Sequence, residues 1–142
     1  MGEKLGVKSE IMNDKVGVSQ KAIIFNKEGK FLVMLRGKTA PSNPLKWDLP
    51  GGDVDFGEDP RTSILREIKE EAGIEVSGLT PFDVEAHINS DNCHWFTVAY
   101  KAKAKSEDVK ISWEHDEYKW VSVEEFSKLP SIPKITRFVS KL

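Results

Sequence analysis

The stretch Gly52-Asp53-Val54-Asp55-Phe56-Gly57-Glu58, followed by Asp59 to Leu65 and then Arg66-Glu67-Ile68-Lys69-Glu70-Glu71-Ala72-Gly73-Ile74, decides how this chain is read. A glycine loop feeds a helix whose limits are written in its ends. Asp59 is a good N-cap, and Pro60 loses nothing at the first helical position because that N–H is unpaired anyway. Gly73 supplies a left-handed C-cap, so the helix runs to about Ala72. At about 100° per residue, Ile64, Leu65, Ile68 and Ala72 share one face, and Glu67, Glu70 and Glu71 share a neighbouring one. The helix is half core and half carboxylate cluster.

That cluster calls for an explanation. Like charges at i,i+3 and i,i+4 repel by a few tenths of a kcal/mol per pair, and packing gains nothing from the arrangement. An acidic face left to solvent, partly neutralised by Arg66 and Lys69, is the ordinary account. A Gly-Gly turn and Glu58 at fixed offsets upstream argue for another: a site for a hard divalent cation, which takes carboxylate oxygens.

Gly52, five residues, Glu58, seven residues and then Arg66 to Ile74 resemble the Nudix box without departure, nine fixed positions over 23 residues. A match of that length is improbable by chance, unlike a lone short glycine pattern. Trp47-Asp48-Leu49-Pro50-Gly51 before the box and Lys119-Trp120-Val121-Ser122 after it are similar to family flanks, so the resemblance covers roughly Val16 to Leu129. It implies an α/β fold, the Nudix α/β/α sandwich with a mixed, curved β-sheet between helices. It also implies Mg²⁺- or Mn²⁺-dependent hydrolysis of a nucleoside diphosphate linked to another moiety.

By the same resemblance, Glu70 and Glu71 are metal ligands and Glu67 is a ligand or the general base. Arg66 orients Glu67, Glu58 supports the loop, and the Gly51 carbonyl can reach a metal. A further acid outside the box is expected near Trp113-Glu114-His115-Asp116-Glu117, with Glu114 preferred to Glu117. Arg36, at a strand end, is a candidate phosphate clamp, against the plainer reading of an exposed arginine. Gly52 and Asp48 are candidate substrate contacts. Trp47 is a candidate stacking surface, although a large apolar group beside a Gly-Gly turn more often packs in a core. His87 and His115 are read as packing or surface residues.

The box fixes the chemistry and leaves the leaving group open. The proline near Asn89 that the family associates with ADP-ribose hydrolysis is missing, and so is the tyrosine near Ser90 to Asn92 associated with diadenosine polyphosphates. A MutT-like conversion of a nucleoside triphosphate to monophosphate and pyrophosphate is the first choice. ADP-ribose or nucleotide-sugar hydrolysis is the alternative. A non-catalytic nucleotide-sensing domain is a third reading, at odds with the presence of Glu67, Glu70 and Glu71.

Working outward, Met1 to Lys15 shows no clear period and is expected to be a loosely held lead-in to a single domain over 16–142. Val16–Phe25 and Phe31–Leu35 read as strands of a β-hairpin closed by Asn26-Lys27-Glu28-Gly29-Lys30. Lys38–Lys46, with two prolines, is a loop; Trp47-Asp48-Leu49 is a short extended piece that Pro50-Gly51-Gly52 ends. Thr80–Asn89 and His94–Lys103 read as strands, Lys101–Lys110 as a charged, solvated strand end and loop, and Tyr118–Val121 as a short strand. Ser122-Val123-Glu124-Glu125 fits a capping box, and Pro133 opens a last helix with Ile135, Phe138, Val139 and Leu142 inward.

Composition bounds the partners. At 142 residues the chain can bury a core without staples, and its one cysteine, Cys93, makes no internal disulfide, which suits a cytoplasmic setting. A net charge of −2 with interspersed signs predicts no dedicated nucleic-acid surface, and no apolar run is long enough to span a bilayer. The expected partner is a small-molecule nucleotide. The resemblance leaves a homodimer open, and the sequence marks no interface.

Overall fold

The computed structural model describes residues 15–142; the expected lead-in lies outside the described residues except for Lys15, which already belongs to the first strand. Seven strands and three helices follow in the order β1 (Lys15–Phe25), β2 (Phe31–Arg36), β3 (Trp47–Asp48), β4 (Gly51–Asp53), α1 (Pro60–Ala72), β5 (Val76–Ile88), β6 (Cys93–Ala104), β7 (His115–Val121), α2 (Val123–Ser127) and α3 (Pro133–Ser140). The sheet runs β3-β2-β1-β6-β5, with β4 added on β1 and β7 on β2. It is mixed, because β1 lies parallel to β6 while the other pairs are antiparallel.

Both faces of the central strands are covered, which explains their continuous apolar runs. Ala22, Ile24, Leu32 and Met34 point to one face and pack beneath Ile64, Ile68 and Ala72 of α1. Ile23, Phe31 and Val33 point to the other and meet Phe126 of α2 and Ile135, Phe138 and Val139 of α3. Helix, sheet and helix form the expected α/β/α sandwich. No helix of the described residues is long and apolar enough to cross a membrane.

The helix ends follow their chemistry. Asp59 accepts from the Thr62 N–H at 2.9 Å, Gly73 adopts φ 67°, and Ser122 with Glu125 completes the capping box.

Several expectations are corrected. The β1–β2 hairpin is paired only at its closed end, Phe25 opposite Phe31. Beyond that point β1 pairs with β6 along its whole length and with β4 near its middle. Apolar pattern alone does not name a strand's neighbour, and here the two strands part to leave room between them. Gly51–Asp53 does not end an extended piece but forms β4. Strand β7 begins at His115, three residues before its apolar residues start. Leu65 is 39% exposed and Leu142 is 40% exposed, so neither joins the core. The charged stretch from Lys101 is a strand end and loop as expected, β6 ending at Ala104, but it is not wholly solvated, since Val109 joins the core at 7% exposure.

Candidate active site

The parting of β1 and β2 opens a cavity of about 460 Å³ whose lining is mostly polar. β1 contributes Ser19 and Lys21, the end of β2 contributes Arg36, β3 contributes Asp48, and β4 with its following loop contributes Gly51 to Asp53 and Asp55. Glu67 and Glu71 enter from α1, Glu114 from the turn before β7, and Lys134 from the start of α3. Three basic side chains therefore face six carboxylates across one hollow.

The expected residues divide by place. Glu71 is the deepest carboxylate of α1, and its Oε1 accepts the Gly51 N–H at 2.9 Å. Burial pushes its carboxyl up to about 7, against the pull of nearby Lys21 and the Gly51 hydrogen bond. Burial also raises Glu67, which Arg66 at 3.2 Å counteracts in part. Glu67 stands so close to β4 that a Cβ on Gly52 would lie 2.7 Å from its carboxyl carbon. Glycine at 52 thus makes space for a carboxylate.

Arg66 does more than orient Glu67. Its Nε and Nη2 donate to Glu58 Oε2 at 3.0 and 2.8 Å, and its Nη1 donates to both Glu70 oxygens at 2.9 and 3.1 Å. Glu58 in turn accepts the Asp55 N–H at 3.2 Å, so it braces the loop and stands outside the cavity. That N–H and Arg66 hold its carboxyl below the usual range. Glu70 also stands outside, 54% exposed, on the solvent side of Arg66. The structure does not bring Glu70 together with Glu67 and Glu71 as the sequence led one to expect. Residues 67, 70 and 71 are spread over about 100° of one face, and Arg66, four residues before Glu70, holds the outermost on the solvent side.

Asp48 faces the cavity as a buried anchor. It is 1% exposed, receives Lys21 Nζ at 2.9 Å and Arg36 Nη1 at 3.3 Å, and accepts the Leu49 N–H at 2.7 Å. Burial alone would raise its carboxyl, yet Lys21, the Leu49 N–H and Arg36 together hold it below the ordinary value. It thus ties together the side chains of Lys21 and Arg36. Arg36 also donates from Nε to the Ser42 carbonyl at 3.0 Å, tying the proline loop to the cavity rim. Trp47 is corrected: at 5% exposure it packs in the core beside Leu49, with Lys119 Nζ 5.2 Å from its ring centroid, and offers no free face for a base. Glu114 rather than Glu117 lines the cavity; Glu117 sits in β7 opposite Leu35.

Two lysines were missed. Lys21 follows the polar pair Ser19-Gln20 just before the apolar run Ala22–Phe25, and was assigned no role from sequence. Lys134 follows Pro133 in a helix far along the chain, and only α3 packing back on β6 brings it near Thr97, 3.4 Å from its Nζ. It has no carboxylate partner among the ion pairs of the described residues, and burial lowers its pKa. An alternation count that flags charged residues within buried strands would have found Lys21; no local signal marks Lys134.

Residues 15–142 match the family model of the NUDIX domain. The chain belongs to the Nudix family. Relatives of this Nudix chain include the Caenorhabditis elegans bis(5'-nucleosyl)-tetraphosphatase (asymmetrical), 32% identical, covering 84% of this chain and 88% of that protein. The RNA pyrophosphohydrolase of Acidiphilium cryptum is 30% identical and covers 78% of this chain and 76% of its own. Among solved structures, the MutT protein of Methanosarcina mazei Go1 superposes with a TM-score of 0.77 at 30% identity, covering 90% and 93% of the two chains. The chain is a hydrolase of pyrophosphate bonds, as these relatives are.

The donor set fits a hard divalent ion. Glu67 and Glu71 bring desolvated carboxylates to one wall, and each holds its proton more tightly than an exposed glutamate would. A neighbouring cation relieves that penalty. Among the described residues no three acidic, histidine or cysteine side chains already surround one point. The ion would therefore have to draw in a further ligand, Glu70 or Glu114. Because Glu71 keeps its proton up to about 7, protons compete with metal below that pH. Calorimetric Mg²⁺ titration should show affinity falling by up to about tenfold per pH unit below 7 and proton release at pH 6 but little at pH 9. An affinity flat from pH 6 to 9 would remove Glu71 from the ligand set.

Proposed function

We propose that this Nudix hydrolase uses Mg²⁺ or Mn²⁺ to cleave a phosphoanhydride bond in a nucleoside 5'-polyphosphate. A nucleoside triphosphate cleaved to monophosphate and pyrophosphate is the simplest case. The observation that carries this reading is the cavity itself, where Lys21, Arg36 and Lys134 face the carboxylates of Glu67 and Glu71 across a hollow without aromatic lining. Such a hollow suits a chain of phosphates better than a base or a sugar ring.

The bound ion would neutralise phosphate charge and lower the pKa of the attacking water. The chain's own groups then divide the work. Glu71, deep and fixed by the Gly51 N–H, suits a ligand. Glu67, at 19% side-chain exposure and oriented by Arg66, suits a group that also takes the proton from water. Lys134, without a carboxylate ion pair among the described residues, and Arg36, anchored by Asp48, would hold phosphate oxygens. The names of the two curated relatives mention a dinucleoside tetraphosphate and RNA, and neither mentions a nucleotide sugar. That supports polyphosphate over ADP-ribose or nucleotide-sugar hydrolysis.

The test is a Mg²⁺-dependent screen of NTPs, dNTPs, ADP-ribose, nucleotide sugars and dinucleoside polyphosphates, resolving phosphate from pyrophosphate. Preferred turnover of nucleotide sugars would overturn the substrate class. Within the preferred substrate, Lys134→Ala should raise KM roughly 10- to 100-fold, the loss of one charge-assisted contact, with a smaller change in kcat. An unchanged KM would remove Lys134 from the phosphate site.

A further inference from the structure

One half of one sheet face is left open. Val16 stands opposite His94 and Val18 opposite Phe96; across the next pair of strands His94 stands opposite Ile88 and Phe96 opposite Ala86. Side chains alternate along a strand, so these positions share the face that carries Ala22 and Tyr100 farther along. Helix α1 packs over that farther half. Among the described residues no helix packs over the near half, where Val16 is 70% exposed and Ile88 64%, with Val84 exposed beside them.

This exposure reverses the usual order. A sheet with one solvated face turns polar residues outward and apolar ones inward. Here the intervening positions Ser19, Glu85 and Thr97 are the polar ones, and they point to the opposite face, where Ser19 and Thr97 share a 2.7 Å hydrogen bond. His94 is the polar member of the open face, and its ring lies against Phe96 with 4.4 Å between centroids. At about 4.8 Å per strand and about 3.3 Å per residue, the open area is roughly 15 Å across, on the order of 250 Å². A stable dimer needs about 800 Å² from each partner, so the patch is too small for a second copy and fits a single peptide segment.

The chain supplies such a segment next to the patch. Residues 1–14 lie outside the described residues and join β1 at Lys15, beside Val16. Their sequence carries Leu5, Val7, Ile11 and Met12, and Asn13-Asp14, good turn formers, stand where the chain would have to reverse. Ten residues reach about 15 Å as a helix and about 33 Å extended, enough to cross the patch either way. The tether sets an effective concentration on the order of millimolar, so modest apolar contact suffices.

We propose that this face is the docking site of the chain's own residues 1–14, held by apolar contact of Leu5, Val7, Ile11 and Met12 with Val16, Val18, Val84 and Ile88. The docked segment would border the loop of Asp55 and Glu58, which leaves the sheet at Val54, whose N–H donates to the Val18 carbonyl at 2.9 Å.

Methyl-labelled NMR of the full chain tests it. Nuclear Overhauser contacts should join methyls of Leu5, Val7 or Ile11 to those of Val18, Val84 or Ile88 within one molecule. Absence of every such contact would overturn the proposal. So would contacts to the patch that arise only between differently labelled copies, which would make the occupant a second chain. A Leu5→Asp/Ile11→Asp variant of the full chain gives a second reading. It should bind an anilinonaphthalenesulfonate dye severalfold more strongly than wild type, because such dyes report exposed apolar surface. Equal dye binding by the two would show the patch open in both and overturn the assignment.

Discussion

Glu71→Gln is expected to lower kcat roughly a thousandfold while making the metal-free protein more stable above pH 7. The two effects share one cause. Glu71 is buried, and its carboxyl keeps its proton to about 7 where an unfolded chain would release it near 4.5. Since the folded value is the raised one, this group's contribution to stability is fully present below 4.5 and is lost as pH climbs through the window to about 7. The full loss is on the order of 3 kcal/mol. Glutamine keeps the shape and the acceptor for the Gly51 N–H without the charge, so that loss should vanish at pH 8. Activity goes the other way, because removing one charged ligand forfeits several kcal/mol of transition-state stabilisation, about a thousandfold. Melting curves at pH 6 and 8 without metal, beside kcat with saturating Mg²⁺, read both. A variant that keeps wild-type kcat would place the metal elsewhere.

Gly51→Ala and Gly52→Ala should fail in opposite ways although they are neighbours. Gly51 sits at φ 156°, and a Cβ there would collide with the backbone carbonyl of Gln20, against which β4 pairs. Backbone cannot step aside as a side chain can. Strain and overpacking at about 1–3 kcal/mol each predict roughly 2–6 kcal/mol of lost stability, read from urea unfolding. A Cβ on Gly52 meets only the end of the Glu67 side chain, which can swing away. Stability should then change by less than about 1 kcal/mol. Yet kcat should fall by up to about a hundredfold, since an ångström of misplacement can cost that much. Matched stability losses in the two variants would refute the division.

How far the sequence disclosed this depended on whether the physics was local. The limits of α1 were legible because Asp59, Pro60 and Gly73 act within one turn of their own backbone. The capping box at Ser122 was legible for the same reason. The carboxylates facing the cavity were legible because helical periodicity placed Glu67 and Glu71 near each other. The pairing of Glu70 with Arg66 was not legible, because periodicity says nothing of which neighbour the arginine will hold. The open β1–β2 hairpin was illegible, since strands buried on both faces carry no mark of their partner. Lys134 was missed as a site residue because it reaches the cavity only through α3, packed from far along the chain.

The pairing of β1 with β6 sets Lys15 opposite Cys93 and Phe25 opposite Lys103, a separation of 78 residues along the whole strand. Strands β5 and β6 meet across a short turn, with Ile88 opposite His94, and can zip locally. Long loops must close before parallel pairing is rewarded, so β1 is expected to dock late in folding. Lys21, and the β4 glycines that pair with β1, reach their places only then. Catalytic competence in a refolding experiment should therefore appear with the slowest structural phase and not before it, which makes returning activity a clock for the last strand to arrive.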